Sequence, residues 1–444
     1  MKIKYAIVFI FIVAMVIIEK ESNILSSWFL TRVSDKMMQR QTPQQTPQSP
    51  LDYGNATQNS PTPFKMLLSN VNATKESDSN QTEEQHKEEV EDPVGPEDDR
   101  KHILLMATTR SGSSFVGEFF NQHGENTFYL FEPLWHVEHM LSATAETNNG
   151  SLIPANYRDV LRGLFLCDFS PLEKFISPPP QNHVTPSLFR RESSSSLCEE
   201  KVCTPVIKEI FERYRCKNRR CGPLNLTLAS QSCLSKQHHA IKTVRVHQWE
   251  TLRPLVEDPR LNVKIIQLVR DPRAILASRM VAFSSKYKTW KALMQSGRVP
   301  ENDDEVKRLQ GNCENIRWSA ELGLSRPRWL RRRYMLVRYE DIARYPMQKA
   351  EEMYRFTGIP FSPRAREWIL KNTQTTEGDS GIYSTQKNSS EQAEKWRFSI
   401  HFTLAQMVQR LCGPTMKLFG YKFVDDAKTL LNKSISLLED KTFH

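Results

Sequence analysis

Residues Ile103–Gln122 read ILLMATTRSGSSFVGEFFNQ. The apolar run Ile103–Ala107 gives way to a polar loop, Thr108-Thr109-Arg110-Ser111-Gly112-Ser113-Ser114. An amphipathic stretch carrying Phe115, Val116, Phe119 and Phe120 follows. The pattern predicts strand, tight loop and helix. A helix that starts in such a loop directs unpaired N–H groups and the positive end of its dipole at one point. Hydroxyls and one arginine are placed at the same point, which is how a chain holds a phosphate. The match to the Walker A pattern GxxxxGK[ST] is partial. Gly112 and Ser114 fall in register, but Ala107 replaces the first glycine and Ser113 the lysine, so an Mg-dependent NTPase is poorly supported. A loop rich in Ser, Thr and Gly also fits an ordinary helix N-cap, and this stretch alone leaves that second reading open.

Outward from this stretch, the chain alternates short apolar runs with helical patterns, as an α/β domain does. Thr127-Phe128-Tyr129-Leu130-Phe131-Glu132-Pro133 reads as a short aromatic strand ending at a carboxylate, Glu132. Residues 155–176 are expected to be helical, packing Leu161, Leu164, Phe165 and Leu166. A basic, cysteine-rich insertion over 177–235 follows. Ala240–Val246 and Val263–Val269 read as strands, and Asp271-Pro272 starts a helix as N-cap and first helical residue. Tyr334–Val337 is a further strand and 346–357 a further helix. Gly381–Arg397 is expected to be an ordered polar loop, and Leu404–Leu411 with Met416–Phe419 to close the core.

The N-terminus sets the compartment. Lys2 and Lys4 precede an uninterrupted apolar run, Tyr5–Ile18, closed by Glu19-Lys20-Glu21. No small-x-small cleavage site follows, so a signal-anchor over 5–18 is expected, with residues 1–4 cytosolic and the rest lumenal; a cleaved signal peptide is the alternative. Residues 19–100 are rich in Gln, Pro, Ser, Thr and Glu and poor in aromatics, the composition of a disordered stem ahead of a folded domain over 101–444. Two features fit a lumenal body. N-x-[ST] sequons occur at Asn55, Asn72, Asn80, Asn149, Asn225, Asn388 and Asn432, and all eight cysteines lie from Cys167 onward. The Cys198/Cys203 and Cys216/Cys221 spacings lack nearby metal-ligand partners, and no metal is expected. Charge is uneven: residues 1–100 carry net −5 and the remainder net +15. In a secretory lumen such a body meets anionic glycans and membrane headgroups rather than nucleic acid.

Arg110, Glu132 and Arg270 each stand where a loop leaves a predicted parallel strand, the edge at which α/β sheets collect ligands. Two cations and one carboxylate suit a doubly phosphorylated nucleotide with a hydroxyl acceptor that must lose a proton. Arg110-Ser111-Gly112-Ser113-Ser114-Phe115 resembles the 5′-phosphosulfate loop of the Golgi carbohydrate sulfotransferases. Residues 265–279, IIQLVRDPRAILASR, resemble their 3′-phosphate motif. The similarity extends over 101–424, including Phe131-Glu132-Pro133-Leu134-Trp135-His136, Cys216–Asn225 and Ile382–Glu391.

The resemblance implies a P-loop-like sulfotransferase fold, an α/β architecture with a central parallel sheet flanked by helices. It implies sulfuryl transfer from 3′-phosphoadenylyl sulfate (PAPS) to a sugar 6-hydroxyl. N-acetylgalactosamine in chondroitin is the first acceptor, with galactose in keratan sulfate or N-acetylglucosamine as alternatives. A non-catalytic glycosaminoglycan-binding module is a reading of another class, against which the Glu132 carboxylate speaks. In the implied assignment, Thr109 through Phe115 cradle the phosphosulfate and Arg110 neutralises charge on the leaving oxygen. Arg270 and Ser278 bind the 3′-phosphate. Lys395 and Arg397 reach phosphate from a closing loop, with Trp396 either near the adenine or in the core. Glu132 is the expected general base and His136 the competing one. The clusters Arg215–Arg220 and Arg326–Arg333 either line a groove for the anionic polymer or form a solvated basic face.

Overall fold

Five parallel strands form one sheet: β1 (His102–Met106), β2 (Thr127–Phe131), β3 (His238–Thr243), β4 (Val263–Val269) and β5 (Tyr334–Arg338), in the order β2-β3-β1-β4-β5. The computed structural model describes residues 100–143, 152–176, 193–199, 201–203, 224–247, 249–290, 303–373 and 389–443. The expected cytosolic tail, anchor and stem, the Arg215–Arg220 cluster, Cys216 and Cys221 lie outside the described residues. Among the described residues no helix is long and apolar enough to cross a membrane.

Parallel strands are covered on both faces, so they read as continuous apolar runs rather than alternating ones. Leu104, Met106, Phe128, Leu130, Ile241 and Ile265 point into one core. Ile103, Leu105, Ala240, Ile266 and Leu268 point into the other. The first core is covered by α2 (Leu134–Ala143), α3 (Leu152–Phe165) and α4 (Leu226–Leu234), the second by α1 (Ser113–Asn121). Beyond β4 the chain adds α5 (Pro272–Ala282), α6 (Asp304–Leu324), α7 (Tyr339–Arg344), α8 (Pro346–Thr357), α9 (Pro363–Thr373) and α10 (Phe402–Phe419). Helices α8 and α9 join α1 on the second face, and the Tyr354 hydroxyl donates to the Phe119 carbonyl at 2.6 Å. Helices α5, α6 and α10 form a third core, in which the Cys313–Cys412 disulfide ties α6 to α10. A second disulfide, Cys167–Cys233, ties the end of α3 to α4, and Cys198 and Cys203 are disulfide-bonded as well.

Several expected element bounds differ in the structure. Residues 155–176 are not one helix: α3 ends at Phe165, and Cys167 takes a left-handed backbone (φ 60°) before a single turn at Ser170–Glu173. The third strand begins at His238 and ends at Thr243, because Val244–Val246 leave the sheet beyond the end of β1. The two C-terminal segments do close the core, both as parts of one helix, α10, which runs through Pro414. Of the expected polar loop, residues 381–388 lie outside the described residues and 389–398 are helical.

The strand order decides where a ligand binds. The chain leaves β1 toward β2 on one side and leaves β4 toward β5 on the other. A crevice therefore opens between the carboxyl ends of these two neighbours. Arg110 and Arg270 lie in the loops that leave those two ends.

Candidate functional site

The loop after β1 is built to present backbone N–H groups. Ser111 is fully buried; its hydroxyl and its N–H both turn back onto the Thr108 carbonyl, at 2.7 and 3.2 Å. Arg110 (φ 73°) and Gly112 (φ 91°) are both left-handed, the curl that turns successive amides toward one concavity. Gly112 is the N-cap of α1, and no side chain caps the helix. With Gly112 at the cap, the Ser113 and Ser114 N–H groups at the start of α1 are placed to receive an anionic ligand. Among the described residues the Thr108 hydroxyl is buried without a hydrogen-bond partner at the mouth of the loop. It borders a partly open pocket whose walls include His247, Trp249 and Asn315. Burial depresses the His247 pKa, so its neutral form is favoured there. Phe115 packs on Phe119 and Trp368 and so serves the core rather than a ligand.

The two expected phosphate motifs meet. Arg110 Nε donates to Ser278 Oγ at 3.0 Å, and Arg270 Nη1 donates to the Arg110 carbonyl at 3.0 Å. Ser278, expected beside Arg270 on the 3′-phosphate, thus also holds the side chain of the 5′ loop. The Arg270 guanidinium lies 4.4 Å above the Tyr339 ring, and its Nε is buried with no hydrogen-bond partner among the described residues. Such an orphan is costly unless an acceptor arrives, and a phosphate oxygen is the natural one. Asp271 caps α5 by accepting from the Arg273 N–H at 2.9 Å, and its carboxylate also grips the fully buried Arg273 guanidinium.

Glu132 sits beyond β2 with a left-handed backbone (φ 53°) and is 6% exposed. A non-glycine residue held there is strain of the kind that collects at functional sites. Its Oε1 accepts from Lys242 Nζ at 2.5 Å, and its Oε2 from Arg245 Nη1. Arg245 also reaches Glu138, through Nε at 2.7 Å. Sequence reasoning missed both cations. The signal was available: Lys242 lies inside a strand and is 3% exposed, and a lysine so placed must have a partner. His136, buried in the first turn of α2, stands edge-on to Trp135 at 5.1 Å.

Other expected site residues are used elsewhere. Arg397 is 1% exposed; its Nε, Nη1 and Nη2 donate to the carbonyls of Leu430, Ile435, Thr429 and Asn432, and Nη1 also to Glu394. Its donors are spent on closing the C-terminal segment, which corrects the phosphate assignment. Trp396 is core, with the Arg273 guanidinium 4.9 Å from its ring centroid. Lys395 stays exposed on the same turn. The Arg326–Arg333 cluster enters β5 at its amino end, the sheet edge opposite Arg110 and Arg270. It is not a wall of the crevice.

Comparison with known proteins agrees with this geometry. A family model described as "Sulfotransferase domain" matches residues 100–420. The chain is 54% identical to human carbohydrate sulfotransferase 3, over 99% of this chain and 95% of that protein. It is 52% identical to carbohydrate sulfotransferase 3 of Tetronarce californica, over 100% and 99%. Against human carbohydrate sulfotransferase 1 the identity is 46%, over 78% and 85%.

Proposed function

Because this chain belongs to the carbohydrate sulfotransferases of the sulfotransferase domain family, we propose that it moves the sulfuryl group of PAPS to the 6-hydroxyl of N-acetylgalactosamine in chondroitin. The observation that carries this reading is the junction of Arg110 and Arg270. Two cationic segments are bonded together at the crevice between β1 and β4, and a buried guanidinium nitrogen there lacks an acceptor among the described residues. A donor with phosphate groups at both its 5′ and 3′ ends needs two such segments at a fixed spacing.

The roles follow from the chemistry. Amides of the loop and of the start of α1 hold the 5′-phosphosulfate, and Arg110 balances charge that grows on the leaving phosphate oxygen. Arg270 binds the 3′-phosphate through the fork that suits a dianion. Glu132 takes the proton of the acceptor hydroxyl as oxygen attacks sulfur. Its carboxylate is already held by Lys242 and Arg245, so the hydroxyl must replace Arg245 at Oε2. This engagement is the specific reason to keep His136 as the second candidate base. The 46% identity to a carbohydrate sulfotransferase 1 is the reason to keep galactose and N-acetylglucosamine acceptors in the test.

The same reading makes the protein a single-pass Golgi protein of type II, with residues 5–18 as anchor and the catalytic domain in the lumen. The Cys167–Cys233 and Cys313–Cys412 disulfides, and the exposed sequon residues Asn225 and Asn432, support an oxidising, glycosylating compartment.

Calorimetry on the full chain in detergent tests the donor site. Adenosine 3′,5′-bisphosphate (PAP) is expected to bind about 10- to 100-fold tighter than AMP, which lacks the 3′-phosphate. Arg270→Ala is expected to erase that preference. Equal binding of the two nucleotides by the parent chain would remove the 3′-phosphate assignment.

A further inference from the structure

We propose that Tyr339 and Glu340, the first two residues of α7, are positioning residues that lock the two phosphate-binding segments into one geometry from behind the site. The inference rests on the reading of Arg110 and Arg270 as the donor site.

Tyr339 touches both segments. Its ring lies under the Arg270 guanidinium, 4.4 Å from centroid to Cζ. The same ring closes the space behind Gly112, where an added Cβ would stand 2.3 Å from the Tyr339 Cδ2. One aromatic face therefore supports the 3′-side arginine, and its edge fixes how closely the 5′ loop approaches. Glu340 continues the contact. Its Oε1 accepts from the Asp271 N–H at 3.0 Å, directly after Arg270, and its Oε2 accepts from the Tyr421 hydroxyl at 2.9 Å. The loop after β1, the loop after β4, α7 and the segment after α10 thus converge on two adjacent side chains.

Glu340 is 3% exposed. The charged groups around it are Arg270 and Asp271 from the β4–α5 junction and Arg338 at the end of β5, with the Tyr421 phenol from beyond α10. Arg338 spends its donors on Asp341 and on the Phe419 and Glu439 carbonyls. Burial pushes the Glu340 carboxyl up to about 7, with Arg270 pulling it down and Asp271 pushing it up. A buried carboxyl of this kind is expensive to keep merely as filler. Here it orients the amide next to Arg270 and also senses what Arg270 holds. An anion bound on Arg270 adds negative charge nearby and offsets the arginine's pull, so the proton affinity of Glu340 must rise. Donor binding is then linked to proton uptake by a group that does not touch the donor.

The test measures PAP binding by the full chain near pH 7, in buffers of different ionisation enthalpy, which gives protons taken up per site. The PAP phosphate itself titrates, so the informative quantity is the difference between the parent and Glu340→Gln. Glutamine keeps an acceptor for the Asp271 N–H and removes the ionisable group. The parent is expected to take up a few tenths of a proton more than the variant. Tyr339→Leu is expected to weaken PAP binding about tenfold and to raise KM for PAPS more than it changes kcat, with Tyr339→Phe restoring both. Folding of each variant is checked by thermal unfolding. Equal proton counts in parent and Glu340→Gln, with parent-like PAP affinity in a folded Tyr339→Leu, would overturn the inference. A parent chain that binds no PAP at all would instead overturn the donor-site reading on which it rests.

Discussion

Glu132 concentrates the chemistry at the scale of single residues. A buried carboxylate gripped by two cations is strongly destabilised if one partner is removed, so Lys242 and Arg245 are part of the site as well as of the fold. Glu132→Gln keeps the shape and removes the base. It is expected to lower turnover about 10²- to 10⁴-fold while PAP affinity, read by calorimetry, stays at the parent value. Turnover retained in that variant would move the base role to His136. Sequence showed Glu132, Arg110 and Arg270 because each stands where an apolar run ends, a position readable from pattern alone. It did not show Lys242 and Arg245, which both lie within Ala240–Val246, the run read as a strand. Arg397 misled for a related reason. A basic residue beside a polar loop resembles a phosphate ligand, and the carbonyls that occupy it come from residues 429–435. No local pattern reports such a partner.

Among the secondary-structure elements, the strands were the most legible. Buried parallel strands must be apolar throughout: Val263–Val269 matches the structure at both ends, and the strand expected from Thr127 starts there but stops at Phe131, short of Glu132. Helix α6 is hidden by contrast. Its 21 residues carry charges at Asp304, Glu305, Lys307, Arg308, Glu314, Arg317 and Glu321, so its buried stripe is thin. Strand β1 carries a testable consequence. His102 is buried, its Nδ1 accepts from the Asn262 N–H at 3.2 Å, and burial lowers its pKa from 6.5 to about 3. A histidine depressed in the folded state leaves stability intact above pH 6.5. As pH falls below that value the unfolded chain gains a proton that the folded chain refuses, and stability is lost. Between pH 7.5 and pH 5 this histidine is expected to cost about 2 kcal/mol, measured by denaturant unfolding. His102→Gln should flatten that part of the slope. An unchanged slope in the variant would assign the acid sensitivity elsewhere.

At the scale of the whole molecule, charge and chemistry are separated. The segment over residues 1–100 is net −5 and the remainder net +15, which suits a body that gathers anionic polymer. The exposed Arg326–Arg333 cluster lies at the far edge of the sheet, so it serves as a general basic face away from the reacting groups. Attraction of this kind is screened within about 8–10 Å at moderate salt. Raising salt from about 0.05 to 0.3 M is therefore expected to raise KM for a long chondroitin chain several-fold. KM for a neutral disaccharide acceptor should change little. Parallel changes for both acceptors would show that the basic body does not recruit the polymer.

The central claim is sulfuryl transfer from PAPS to a sugar 6-hydroxyl, and ³⁵S transfer from labelled PAPS tests it most directly. The full chain would be offered desulfated chondroitin, keratan sulfate and an N-acetylglucosamine-terminated glycan, followed by disaccharide analysis of the products. Label at the 6-position of N-acetylgalactosamine, lost in Arg110→Ala and in Glu132→Gln, is the expected result. Label confined to galactose or N-acetylglucosamine would contradict the acceptor assignment, and no label on any glycan from a chain that binds PAP would contradict the catalytic one.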